Sequence, residues 1–156
     1  MNKKLLSLSL LACLALSANA LDFSIGGSGT TQTSGAQNTQ FGADLRLEQF
    51  VTPAVSVGAI QSIAYSSNDL RGATDLFSAY NINYKVFGLN NTVFAGVSTR
   101  VGYGDSFPTW TAGPLIGNRL FIKENVYVLT QVNYDVGLNR AADNTIRYSL
   151  GLGVRF

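Results

Sequence analysis

Asp44, Arg46 and Glu48 stand two residues apart, the spacing that puts three side chains on one face of an extended strand. Two carboxylates so placed could divide the roles of general acid and base, and the cation between them could hold an anion. The intervening arginine favours a plainer chemistry, mutual neutralisation of charges confined in a narrow space. Lys85, Arg100, Arg119, Asp135 and Arg147 fall on polar faces of further alternating segments, and extend the candidate network. Serine hydrolysis most often needs a histidine base, and the chain has no histidine. Gly26-Gly27-Ser28-Gly29 lacks the features of a phosphate-binding loop, and no metal-ligand spacing occurs. The residues therefore assign no catalytic group, cofactor or metal, and the reading is of a non-enzymatic protein.

The elements that carry these residues alternate apolar and polar side chains with a period of two, the mark of half-buried strands. Eight such segments are predicted: 21–27, 39–50, 54–65, 75–87, 92–103, 110–122, 126–136 and 145–156. The sixth is the weakest, because Pro114 stands inside it. Connections alternate in length. Val51-Thr52-Pro53, Gly88 to Asn91 and Lys123-Glu124-Asn125 are short. Ser28 to Asn38, Ser66 to Thr74, Gly104 to Thr109 and Gly137 to Asn144 are mostly longer and polar. Small glycines such as Gly42, Gly58, Gly96 and Gly151 lie on the polar faces, where they would leave space.

Lys3 and Lys4 precede an apolar run from Leu5 to Leu16, and Ala18-Asn19-Ala20 supplies a small-x-small cleavage site. Residues 1–20 read as a secretion signal, and 21–156 as the mature domain. Leu10-Leu11-Ala12-Cys13 loosely resembles a lipoprotein processing site, but the site at Ala20 fits the rule better. With the two signal lysines gone, nine basic residues oppose nine acidic ones, so the +2 of the precursor falls to about zero. Nucleic-acid binding has no electrostatic support. Cysteine leaves with the signal, so disulfides are excluded.

Only 13% of residues are charged, against roughly 25% in soluble domains, and beyond residue 20 no apolar run approaches the ~20 residues of a spanning helix. Apolar residues dispersed on one face of eight strands suit an all-β fold, an eight-stranded antiparallel up-and-down barrel closed so that no backbone group is left unpaired in lipid. A lipid-facing arginine costs about 2–4 kcal/mol at the midplane. The charged face is therefore expected inside the barrel and the apolar face outside. Two aromatic belts are expected, one from Phe23, Phe50, Phe87, Phe121 and Phe156, the other from Phe41, Tyr65, Tyr103, Trp110 and Tyr134.

The chain ends on Tyr148-Ser149-Leu150-Gly151-Leu152-Gly153-Val154-Arg155-Phe156. The outward set Tyr148, Leu150, Leu152, Val154 and Phe156 looks like the C-terminal assembly signal that the barrel-assembly machinery recognises. The strand-turn segments from Phe50 to Val57 and from Phe121 to Val128 are also typical of such barrels. The mature chain resembles the small eight-stranded outer-membrane barrels of the OmpA transmembrane-domain, OmpX and opacity-protein type. That resemblance implies outer-membrane residence, lipid and lipopolysaccharide as surroundings, passage by periplasmic chaperones, and a monomer. The role expected is structural or surface-interacting, with a lumen plugged by ion pairs; a small pore is the alternative. Phe107 and Trp110 are the candidate outer-loop contact, against simple anchoring of the tryptophan in an aromatic belt.

Overall fold

A computed structural model describes residues 20–33, 39–66, 69–103, 108–140 and 142–156. The stretch expected to be a secretion signal, apart from Ala20, and Phe107 lie outside the described residues. Eight strands follow in order: β1 (Leu21–Gln32), β2 (Thr39–Phe50), β3 (Val55–Ser66), β4 (Asp69–Val86), β5 (Leu89–Tyr103), β6 (Thr109–Phe121), β7 (Val126–Gly137) and β8 (Thr145–Arg155). Each is antiparallel to its sequence neighbours, and β8 returns to pair with β1, closing the barrel. Reciprocal backbone hydrogen bonds between Leu21 and Phe156 fasten the seam, at 2.9 and 3.3 Å.

Stepping sideways through paired residues from Asp22 to Glu48, Gly58, Phe77, Ser98 and Gly113, then along the same register through Asp135 and Thr145, reaches β1 again at Gln32. The stagger is ten residues, 32 against 22. With strands ~4.8 Å apart and ~3.3 Å of rise per residue, that stagger tilts them by roughly 40° from the barrel axis. It also places Asp22 and Gln32 at opposite ends of the lumen.

Three strands differ from the sequence expectation. β1 continues to Gln32 because Ser28 to Thr31 pair with both β2 and β8, although this stretch carries no apolar alternation. β4 begins at Asp69 for the same reason, paired with β3. The expected loop from Gly88 to Asn91 is a two-residue turn, Phe87-Gly88, with φ of 50° and 80°. Two positive φ values match the twist of the hairpin strands, at some backbone cost for phenylalanine. Pro114 does not end β6. It keeps its place beside Val97 of β5, while pairing with β7 lapses at Gly113 and Pro114 and resumes in register at Leu115. A missing N–H removes a rung without shifting the ladder.

The outer wall carries the apolar set, with Ile25, Leu45, Ile63, Leu76, Ile82, Val97, Ile116, Leu150 and Leu152 exposed. Phe41, Tyr65, Tyr103, Trp110 and Tyr134 are exposed at the loop end, and Phe23, Phe87 and Phe156 at the turn end. Phe50 and Phe121 are not part of that lower ring. They share the inward parity of Glu48 and Arg119 and are buried in the lumen. The lumen also holds Ile60, Phe77, Phe94, Leu115, Tyr127 and Leu129, so it is a mixed core and not only a polar one.

The inward glycines leave little open space. A Cβ at Gly58 would strike the ring of Phe77, one at Gly117 the ring of Phe94, and one at Gly153 the ring of Tyr127. Those at Gly42, Gly96 and Gly151 would strike neighbouring backbone. Glycine at 58, 117 and 153 is where a large lumen ring lies flat on the wall. Gly117→Val is therefore expected to displace Phe94 and destabilise the barrel by about 1–3 kcal/mol, the range for overpacking. Urea unfolding of the refolded barrel in lipid vesicles measures it; an unchanged midpoint would contradict this packing.

Candidate functional site: the charged lumen

Alternation along each strand sends Arg46 and Glu48 of β2, Arg119 of β6, and Asp22 and Arg155 of the paired ends of β1 and β8 into the turn-end half of the barrel. Glu48 is fully buried. Its carboxylate accepts from Arg46 Nε and Nη2, at 3.0 and 2.7 Å, and from Arg119 on both oxygens. Arg119 also donates to Asn81 Oδ1 at 2.8 Å and lies 3.6 Å from Asp22. Asp22 is held in two-pronged fashion by Arg155, at 2.7 and 2.8 Å.

Aromatic rings cover the guanidinium faces that these bonds leave bare. Arg46 lies 4.0 Å from the centroid of Phe77 and 5.0 Å from that of Phe94; Arg119 lies 4.2 Å from Phe94. Arg155 sits against Phe50 and Phe121, at 4.5 and 4.9 Å. Each such contact adds about 0.5–2 kcal/mol where water is excluded. Charge pairing in the plane and stacking above it let arginine occupy a dry lumen.

A second cluster fills the loop-end half. Arg147 donates to Asp75 at 2.6 and 2.8 Å and to Asp135 at 3.2 Å, while Arg100 donates once to Asp75, at 3.1 Å. Asp44 accepts from Ser28 and Ser149, at 2.9 and 3.0 Å. A polar relay leads from the turn-end cluster toward the loop-end half. Arg46 donates to Gln131, Gln131 to Asn133 at 2.6 Å, and Asn133 to Ser98 at 3.1 Å. Between Asp44 and Arg46 lies a void of about 20 Å³, floored by Ile60 and Leu129 and large enough for about one water. Larger cavities open on either side, about 230 Å³ at the loop end and about 310 Å³ at the turn end.

The structure thus brings Arg46, Glu48 and Arg119 together, and separately Arg100, Asp135 and Arg147. Asp44 belongs to the second half, bound to serines and not to its strand neighbour Arg46. Lys85 stands outside both clusters. It is exposed near the Phe87-Gly88 turn and lines the turn-end cavity, because the β4–β5 hairpin runs on past the end of β3. Asp22 and Asp75, not among the residues expected in the lumen, anchor one cluster each. Parity alone identifies them. Asp22 alternates with Leu21 and Phe23, and Asp75 shares a face with Asn81 and Asn83. Tyr148, Leu150, Leu152 and Val154 lie on the outward face of β8, and the exposed Phe156 directly follows its end. Trp110 is half-exposed on the wall, and Asn139 ties its strand end to the β7–β8 connection through Trp110 N and Pro108 O.

No protein-family model and no curated protein matches the chain. Solved structures do. Ail, the attachment invasion locus protein of Yersinia pestis, matches with a TM-score of 0.61 at 12% identity, covering 90% of this chain and 100% of that one. The N-terminal β-barrel domain of Pseudomonas aeruginosa OprF gives 0.60 at 18%, covering 89% and 98%. Neisserial surface protein A gives 0.60 at 13%, covering 87% and 94%. The chain shares the fold of these small eight-stranded barrels. At such identities the likeness speaks for architecture, and the lumen must be read from its own side chains.

Glu48→Ala would leave Arg46 and Arg119 facing each other in a dry lumen, so a loss of about 3–5 kcal/mol is expected. Asp44→Asn keeps one acceptor oxygen, and its amide NH2 can donate to the oxygen of the other serine, so it should cost about 1 kcal/mol or less. The two urea midpoints, measured side by side in vesicles, test this ranking; equal losses would refute the central place of Glu48.

Proposed function

We propose that the chain is an integral outer-membrane barrel, exported by its residues 1–20, whose role is structural or surface-interacting and not catalytic. The observation that carries this reading is the closure of the lumen. Glu48 with two arginines, stacked on Phe77 and Phe94, crosses the barrel where a conducting path would run. The apolar outer wall between two aromatic rings supports lipid as the surrounding medium. The turn end, which also holds both strand termini, faces the periplasm in this reading, and the loop end faces outward toward lipopolysaccharide.

The barrel works as a monomer, since its own sheet is closed and offers no edge along the wall. The outward face of β8 is what periplasmic chaperones and the assembly machinery would meet before closure. Deleting Phe156 removes the bonds that fasten β8 to Leu21, and is expected to cut the amount of heat-modifiable barrel in the outer membrane severalfold. Normal assembly of the truncated chain would remove this role from the last strand.

Conductance separates the plugged barrel from a small pore. The refolded mature chain is expected to be silent in planar bilayers, and Arg46→Ala combined with Glu48→Ala should produce current steps. Reproducible steps from the unaltered, demonstrably folded chain would make the pore the primary function.

A further inference from the structure

The β4–β5 hairpin runs on below the rest of the turn end. The last rung that ties β4 to the β3 side is Ala54 O accepting from Asn81 N, at 2.7 Å, whereas pairing with β5 continues to Val86 opposite Leu89. Residues 82–86, roughly 16 Å of strand at ~3.3 Å per residue, therefore have a neighbour on one side only. Main-chain groups point to alternate sides along an antiparallel strand. Asn81 points toward β3, so Asn83 and Lys85 point the same way, and there their N–H and C=O groups have no ladder partner among the described residues. Both residues are exposed, and Lys85 has no ion-pair partner among the described residues. The outer face of this stretch is apolar, with Ile82 58%, Tyr84 41% and Leu89 42% exposed. At the tip Phe87 is wholly exposed and takes φ of 50°, an unfavourable backbone that no packing within the barrel offsets.

We infer that this edge docks an extended polypeptide, which adds a strand beside residues 82–86 with an acidic side chain next to Lys85 and apolar ones on the side of Ile82 and Tyr84. The chemistry selects the occupant. Free N–H and C=O groups spaced along a strand edge are matched by another main chain. Lipid is not their match, since it would cover Asn83 and Lys85 and leave their backbone groups unpaired. A second copy of the chain does not fit either. A two-fold axis that pairs this edge with itself runs across the wall or along the strand, and neither direction is the membrane normal that must relate two barrels in one membrane. Lys85, in the middle of the edge, turns away neutral strands and favours a carboxylate beside it. Side chains of the added strand that share its parity would reach over the turn-end cavity, which Asn83 and Lys85 line. The inference rests on the periplasmic placement of the turn end and adds a partner to it.

Amide NMR of the refolded mature chain in detergent tests it, with a synthetic peptide of alternating valine and glutamate as the probe. Saturable binding is expected, with the Asn83 and Lys85 N–H groups exchanging freely without the peptide and protected with it. N-methylating the peptide at alternate residues removes the donors of its bonding edge and should weaken binding about tenfold or more. Asn83→Pro removes a donor from the edge without breaking a bond to β5, and should do the same while the barrel keeps its heat-dependent gel shift. Lys85→Glu should weaken the glutamate peptide about two- to fivefold and transfer preference to one carrying lysine instead. No saturable binding, binding indifferent to N-methylation and to Asn83→Pro, or a charge preference that Lys85→Glu leaves unchanged would overturn the inference. So would protection of both amides in lipid vesicles without peptide, which would assign the hairpin to the membrane surface. Placement is tested separately, by a protease site inserted between Phe87 and Gly88. Cleavage is expected only after the outer membrane is permeabilised; cleavage in intact cells would overturn the periplasmic placement and leave the peptide result standing.

Discussion

A sheet that closes on itself pairs its backbone groups all the way round, and in doing so commits its two faces to two solvents. Everything distinctive in this barrel follows from that commitment. The outer face must be apolar, so the charges of the strands have only the lumen to occupy. There they must neutralise one another, because an unpartnered ion in so dry a space would cost more than a marginally stable fold can lose. Glu48 is the clearest consequence, a carboxylate removed from water and gripped by Arg46 and Arg119.

The lumen solves the same problem in two ways at its two ends. Toward the turns, arginines outnumber acids and the surplus is met by aromatic faces, with Phe50, Phe77, Phe94 and Phe121 stacked on Arg46, Arg119 and Arg155. Toward the loops, acids outnumber the arginines that bind them, and serine hydroxyls complete the acceptors of Asp44. The turn-end cluster closes the lumen, and cavities open on either side of it. Wide glycine seats on the wall make the first arrangement fit, since the rings of Phe77 and Phe94 lie where side chains at 58 and 117 would otherwise project.

Much of this was legible in one dimension. Period-two alternation located eight strands, the choice of outward face, and the inward set Arg46, Glu48, Arg119, Arg100, Asp135 and Arg147, because a strand's geometry is local and each residue's parity names its side. The polar upper strands, 28–32 and 69–74, were not legible, since above the apolar belt nothing in their composition distinguishes a paired strand from a loop. Phe50 and Phe121 suit an interface by their type, but their parity puts them inside. Asp22 and Asp75 each stand at the edge of an apolar pattern, which obscures them, although their parity points inward.

Residue type and spacing by themselves determined that the chain is a barrel, which face is apolar, and that the charges share the interior. Which charge meets which was decided only by the ten-residue stagger of the closed sheet. That stagger brings β2 and β6, 71 positions apart at Glu48 and Arg119, to one level of the lumen, and carries Asp44 away from Arg46 toward β8. Register across strands is a property of the closed sheet, summed over eight pairings, and no stretch of sequence contains it.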